Sequence, residues 1–271
     1  APLAVLTAAA LTLTACGGGS AGGSATNEAG AALLTVGASP VPHAQILQFV
    51  DDNLAADAGI DLEVVEYTDY VQPNVALQEG DIDANFFQHV PYLESEIADK
   101  GYEFSHSEGV HIEPCGVYSQ KVESLDALAD GATISVPNDP SNQARALRLL
   151  EANGVFTLDP AVEDPTMLDL AENPKNITIT EMDAAQLPRT LQDVDAAVIN
   201  GNFALEAGLN PAEDALVLES GEDNPYANVV AYRTEDAQDE SITTLNDLLH
   251  SPQVRQYIEQ TWPNKEIIPA F

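Results

Sequence analysis

Beyond residue 32 the spacing of apolar side chains switches repeatedly between two and about 3.6 residues, as strands alternating with helices require. Residues 33–37 predict a strand, after which Ile46, Leu47, Val50 and Leu54 share one helical face. A strand at 61–66, a short helix at 74–78, a strand at 82–87 and a helix at 91–100 follow, with Gly101 placed to end the last. The alternation resumes with a strand at 132–136, a helix at 140–153 stopped by Gly154, and strands at 177–181, 195–199 and 228–232. Helices at 243–249 and 252–262 close the chain, and no internal repeat is apparent. This order predicts an α/β fold with parallel or mixed sheets covered by helices, in which ligands bind beyond the carboxyl ends of the strands.

Two smaller lobes fit the pattern better than one large sheet. The segment from Gly116 to Leu125 crosses polar residues into an independent strand-helix unit, and a second crossing near Ser220 to Ala227 returns the chain. The expected division is 33–118 plus 228–271 for the first lobe and 119–227 for the second. Ahead of them, residues 1–15 carry no charge and read as the apolar part of an export signal whose basic start is missing; they are too short for a spanning helix of about 20 residues. Leu13-Thr14-Ala15-Cys16 has the form of a bacterial lipidation box, with Cys16 the thiol that would take a diacylglyceryl group. Two acyl chains on one residue suffice for stable anchoring to a lipid bilayer. Residues 16–32 are mostly Gly, Ala and Ser, the composition of a flexible tether. Only Cys115 then remains, so no intramolecular disulfide is expected, and its apolar neighbours suit a buried small hydrophobe better than a reactive thiol.

The 271 residues include nine Lys and Arg against 44 Asp and Glu, a net charge of −35 that repels phosphate backbones and removes nucleic acid from the candidate partners. Excess surface acid also suits a saline exterior. An anionic group that does bind must be met by one of very few cations.

Several stretches carry a family resemblance. They are Val36-Gly37-Ala38-Ser39-Pro40-Val41-Pro42-His43, Glu66-Tyr67-Thr68-Asp69-Tyr70, Asn85-Phe86-Phe87-Gln88-His89-Val90-Pro91-Tyr92, Val136-Pro137-Asn138-Asp139-Pro140-Ser141-Asn142-Gln143-Ala144-Arg145, Gln186-Leu187-Pro188-Arg189 and Ala197-Val198-Ile199-Asn200. Together these resemble the NlpA/MetQ family of methionine-binding lipoproteins over nearly everything after the tether. The resemblance implies a two-lobed, type II solute-binding fold with its ligand in the cleft between lobes. It further implies a non-catalytic receptor without a cofactor, anchored on the extracytoplasmic face of the cell membrane. Such a receptor delivers D- or L-methionine to the permease and ATPase subunits of an ABC importer.

A free amino acid needs a fixed cation, amide or carbonyl acceptors and a shaped pocket. Asp139 and Pro140 form a helix start that aims unpaired N–H groups beyond the preceding strand, and Arg145 follows in the second turn as the fork for a carboxylate. Arg148, three residues on, suits an exposed helix face. Tyr70, Phe87, His89 and Tyr92 are either core aromatics or the wall of a thioether pocket, and the family correspondence turns them towards the pocket. Phe86 alternates away to the core, and Tyr67 stays open. Asn200 and Asn228 sit at strand ends, where an amide can be a turn residue. In the family the matching asparagines hold the ligand's amino and carboxylate groups; Asn202 is not among them. A methionine-containing dipeptide or another small apolar amino acid in the same fold is the alternative. A zinc-binding receptor or metallohydrolase using His43, His89, His106, His111 and His250 is a further one, disfavoured because no histidine pair has helical i, i+4 spacing and no cysteine pair exists. Gly-x-Ser-x-Gly and Gly-x-x-x-x-Gly-Lys motifs are absent.

Overall fold

The computed structural model describes residues 26, 27 and 30–271; the apolar run 1–15, Cys16 and most of the 16–32 tether lie outside the described residues. Among the described residues, no helix is long and apolar enough to cross a membrane.

Two separate mixed sheets organise the chain. The first runs in the order Ile268–Pro269, His111–Ile112, Ala227–Arg233, Ala84–His89, Ala32–Ala38, Ile60–Glu66, with Phe104–His106 also pairing to Ala227–Arg233. Ala32–Ala38 is parallel to both Ile60–Glu66 and Ala84–His89, whereas Ala227–Arg233 returns antiparallel against Ala84–His89. The second sheet runs Thr178–Met182, Thr133–Pro137, Ala196–Ile199, Gly116–Tyr118, Val217–Leu218, its first three strands parallel. Gly116–Tyr118 pairs antiparallel with Ala196–Ile199, so it belongs to the second sheet and not, as a division at 118 would have it, with the first. The forward crossing therefore lies between Ile112 and Gly116.

Each predicted strand and helix in the alternating series is present, with ends displaced by a few residues. Helix Pro140–Ala152 starts where Asp139 accepts a hydrogen bond from the Asn142 N–H, and buries Ala146, Leu147 and Leu150 against the second sheet's core. Helix Val90–Lys100 ends at Gly101, whose φ of 73° is a left-handed conformation that glycine adopts without steric cost. On the first lobe, Ile46, Leu47 and Val50 join Ile242, Leu245, Leu249, Val254 and Ile258 of the two closing helices over one face of the sheet. Strands of two or three residues, such as His111–Ile112, Val217–Leu218 and Ile268–Pro269, were not anticipated, because they are too short to show alternation and exist through their partners across the sheet.

Within the strand Ala32–Ala38, Gly37 is crowded by side chains of the segments that follow the neighbouring strand and precede Ala84–His89. A Cβ there would lie 2.7 Å from Cδ1 of Ile82 and 2.9 Å from Cε2 of Tyr67. Ile82 is buried and has little room to yield. Gly37→Ala is expected to cost about 1–3 kcal/mol of stability through overpacking, read as a lower urea midpoint at unchanged slope.

Candidate ligand-binding site

The carboxyl ends of the parallel strands of both sheets feed one cavity. His89 is the last residue of Ala84–His89, Asn200 follows Ala196–Ile199, and Arg145 stands in the second turn of the helix after Thr133–Pro137. Asn228 enters from the start of the returning strand Ala227–Arg233. These four and Tyr70, Phe87 and Tyr92 all line this cavity, together with Gln88, Glu113, Asn142 and Gly201.

Its apolar wall is a cluster of rings. Tyr70 lies 5.9 Å from Phe87 and 5.7 Å from Tyr92, centre to centre, and Phe87 and Tyr92 are 6.0 Å apart. The Tyr92 hydroxyl donates to the Tyr70 carbonyl at 3.0 Å, and the Tyr70 hydroxyl donates to Oδ1 of Asn202 at 2.6 Å. Asn202, which the sequence reading passed over, thus ties the aromatic wall to the second lobe. Phe86 points into the first lobe's core with Val36 and Val230, as strand alternation requires, and Tyr67 packs on a separate first-lobe cluster.

The polar side is a chain of single-purpose hydrogen bonds across the cleft. His89 caps its helix, Nδ1 accepting from the Tyr92 N–H at 3.1 Å, so the proton sits on Nε2 and is donated to Oδ1 of Asn142 at 3.0 Å. The same Asn142 oxygen accepts from Nδ2 of Asn200 at 2.7 Å. Burial, with the nearby Arg145 charge, lowers His89 from 6.5 to about 3, so this imidazole is neutral at pH 7. Oδ1 of Asn200 is buried and has no hydrogen-bond partner among the described residues.

Arg145 is only 4% exposed and is already engaged. Its Nε donates to Oε1 of Glu219 at 3.0 Å, Nη2 donates to Oε2 of the same carboxylate, and Nη2 also reaches the Glu113 carbonyl at 2.9 Å. The Tyr226 ring covers the guanidinium at 4.1 Å. Burial works against the charge, but the Glu219 carboxylate outweighs it and holds Arg145 above its ordinary pKa. The expectation of a free two-pronged fork is therefore corrected: one edge of the guanidinium is spent on Glu219, and Nη1 is the nitrogen without a partner among the described residues. Glu219 sits 74 residues from Arg145 with nothing in its local sequence to mark it. Arg148 is exposed and donates to the Glu163 carbonyl, the surface role expected of it.

Glu113 is the other residue the sequence reading missed. It stands on the crossing between the sheets, with Nε2 of His111 at 2.8 Å and Nε2 of His43 at 3.1 Å from its Oε1. His43, His111 and Glu113 offer three donor atoms within 4.8 Å of one another, a cluster that linear spacing could not reveal. Metal-bound imidazoles anchor their second nitrogen, whereas Nδ1 of His111 is buried without a partner among the described residues, and the Nε2 atoms are already engaged, His111 with Oε1 and His43 with Oδ1 of Asn228. His106 and His250 lie elsewhere on the first lobe, bonded to nearby backbone carbonyls. Cys115 is buried, its thiol donating to the Ile199 carbonyl, and burial pushes its pKa to about 12, which leaves it inert.

Burial lowers His111 from 6.5 to about 3 and His43 to about 4. The unfolded chain takes up protons at these histidines below pH 6.5 while the native state does not, so their contribution to stability is complete above pH 6.5 and is lost as pH falls. Burial raises Glu113, which acts in the opposite sense, so a single-residue difference isolates the effect better than the total slope. The stability of wild type relative to His111→Gln is expected to shrink between pH 6.5 and pH 4, by at most about 1.4 kcal/mol per pH unit, in urea titrations run at each pH.

With this geometry in view, comparison with known proteins is specific. Residues 34–271 match the NlpA lipoprotein family. Outer membrane lipoprotein 2 of Mannheimia haemolytica is 41% identical, the match covering 94% of this chain and 93% of that one. The D-methionine-binding lipoprotein MetQ of Escherichia coli strain K12 is 43% identical over 72% of this chain and 73% of its own. A nutrient-binding protein from Burkholderia cenocepacia, solved bound to methionine, superposes with a TM-score of 0.84 at 45% identity, covering 88% of this chain and all of that one (100%). The two sheets are those of the type II solute-binding fold, and the family is one of non-catalytic, lipid-anchored extracytoplasmic proteins. The chain belongs to the NlpA lipoprotein family.

Proposed function

We propose that the cavity captures methionine as its zwitterion and that the lipid-anchored receptor passes it to the permease and ATPase subunits of an ABC importer. The observation that carries this reading is the division of one buried cavity into an aromatic wall and a polar end with unspent hydrogen-bonding capacity. Tyr70, Phe87 and Tyr92 suit an unbranched thioether, for which sulfur–aromatic contacts contribute about 0.3–1.5 kcal/mol beyond burial. Nη1 of Arg145 meets the ligand carboxylate, and the unpartnered Oδ1 of Asn200 accepts from its amino group. Asn228 and His89 complete the polar end.

Methionine is expected to raise the melting temperature in step with its excess over the dissociation constant. Arg145→Ala should weaken binding roughly 100-fold or more in calorimetric titration, and Arg148→Ala should leave it within about twofold. Because Arg145→Ala also strands the Glu219 carboxylate, the unliganded variant should melt earlier. Adding Glu219→Gln should recover part of that melting temperature and none of the affinity. Equal, small losses of affinity in both arginine variants would reduce Arg145 to a long-range charge and sink the site assignment.

A further inference from the structure

Two carboxylates stand near Arg145: Glu113, buried and lining the cavity, and Glu219, half-buried behind it, and only Glu219 is directly paired with a cation. Glu219 belongs to Arg145. Glu113, 6% exposed and lining the cavity, has hydrogen-bond donors instead. Oε1 takes the Nε2 proton of His111 and lies within reach of that of His43, whose Nε2 is also 3.0 Å from Oδ1 of Asn228. Oε2 accepts from the backbone N–H of Asn202 at 3.0 Å. That contact depends on Gly201, since a Cβ there would stand 2.9 Å from Cβ of Glu113. Both imidazoles are neutral at pH 7 and do not offset the burial that raises the Glu113 pKa, which the nearby Arg145 charge only partly opposes. A carboxylate accepts about four hydrogen bonds, and two donors, His111 on Oε1 and the Asn202 N–H on Oε2, leave capacity on Oε2. A buried carboxylate without a directly paired cation is costly to ionise, and a cation that joins it offsets that cost.

We propose that Glu113 is the fixed anion that receives the ligand's α-ammonium, making a free, charged amino group a condition of binding. The proposal rests on the amino-acid reading above and narrows it. A dipeptide with methionine in second place has an uncharged amide nitrogen where the ammonium should be, and is rejected. His111 is a positioning residue: by occupying Oε1 it directs the remaining capacity of Oε2 to the ligand, with the His43 ring packed beside it.

The test is calorimetric titration of wild type and Glu113→Gln with three ligands: L-methionine, 4-(methylthio)butanoate, which lacks the amino group, and N-acetyl-L-methionine, which has it acylated. Wild type should bind methionine about 100-fold or more tightly than either analogue. Glu113→Gln, which keeps the shape and removes the charge, should lose most of its methionine affinity and hold the butanoate within about threefold of wild type, so that the ratio collapses. A ratio that survives in Glu113→Gln, even with every affinity lowered, assigns Glu113 a purely structural role and overturns the proposal. The wild-type comparison needs no variant to fold, and equal binding of N-acetyl-L-methionine overturns it as well. Failure of wild type to bind methionine at all would instead strike the amino-acid reading itself, and the proposal with it.

Discussion

A charge removed from water must find an opposite charge or a full set of hydrogen bonds, and the cleft is organised around two residues under that demand. Arg145 satisfies it through Glu219, the Glu113 carbonyl and the face of Tyr226. Glu113 meets it in part, through hydrogen bonds from His111 and the Asn202 N–H with the His43 ring 3.1 Å away. Each set draws on segments far apart in the chain, so the two charges are in place only when both lobes and the crossings between them are folded. With a net charge of −35 spread over the surface, these few buried groups define local electrostatics that the overall charge does not foreshadow.

The same residues that meet the charges also join the lobes. His89 at the end of a first-lobe strand bonds Asn142 on a second-lobe helix, and Asn142 bonds Asn200 at the end of a second-lobe strand. Tyr70 of the first lobe bonds Asn202 of the second. Apolar contacts cross as well, Tyr70 packing on Phe203 of the second lobe and Leu205 on the first lobe's core. The hydrogen bonds that line the cavity therefore also hold the two lobes together.

How much of this was legible follows from the range over which each signal acts. Strand Ala84–His89 and the helix after it were readable because alternation, Pro91 and Gly101 are local cues. Phe86 and Phe87 could be sent to core and cavity by the two-residue period alone, once the family correspondence said which face was which. Arg145 could be singled out as one of nine basic residues following a capped helix start. Its commitment to Glu219 could not, because Glu219 lies in an acidic, turn-rich stretch resembling many others in this chain. Asn202 was set aside for the same reason, its role being defined by a tyrosine 132 residues earlier.

The amino-acid order therefore determined the α/β alternation through periodicity and capping, the family through its motifs, and, by that resemblance, the seven side chains that meet in one cavity. Tertiary structure alone decided the short edge strands, the sheet to which Gly116–Tyr118 belongs, the neutralisation of Arg145 and the cradle around Glu113. Pairing, burial and the energy of a desolvated charge are set by groups brought together from distant positions, and no local pattern encodes which ones they are.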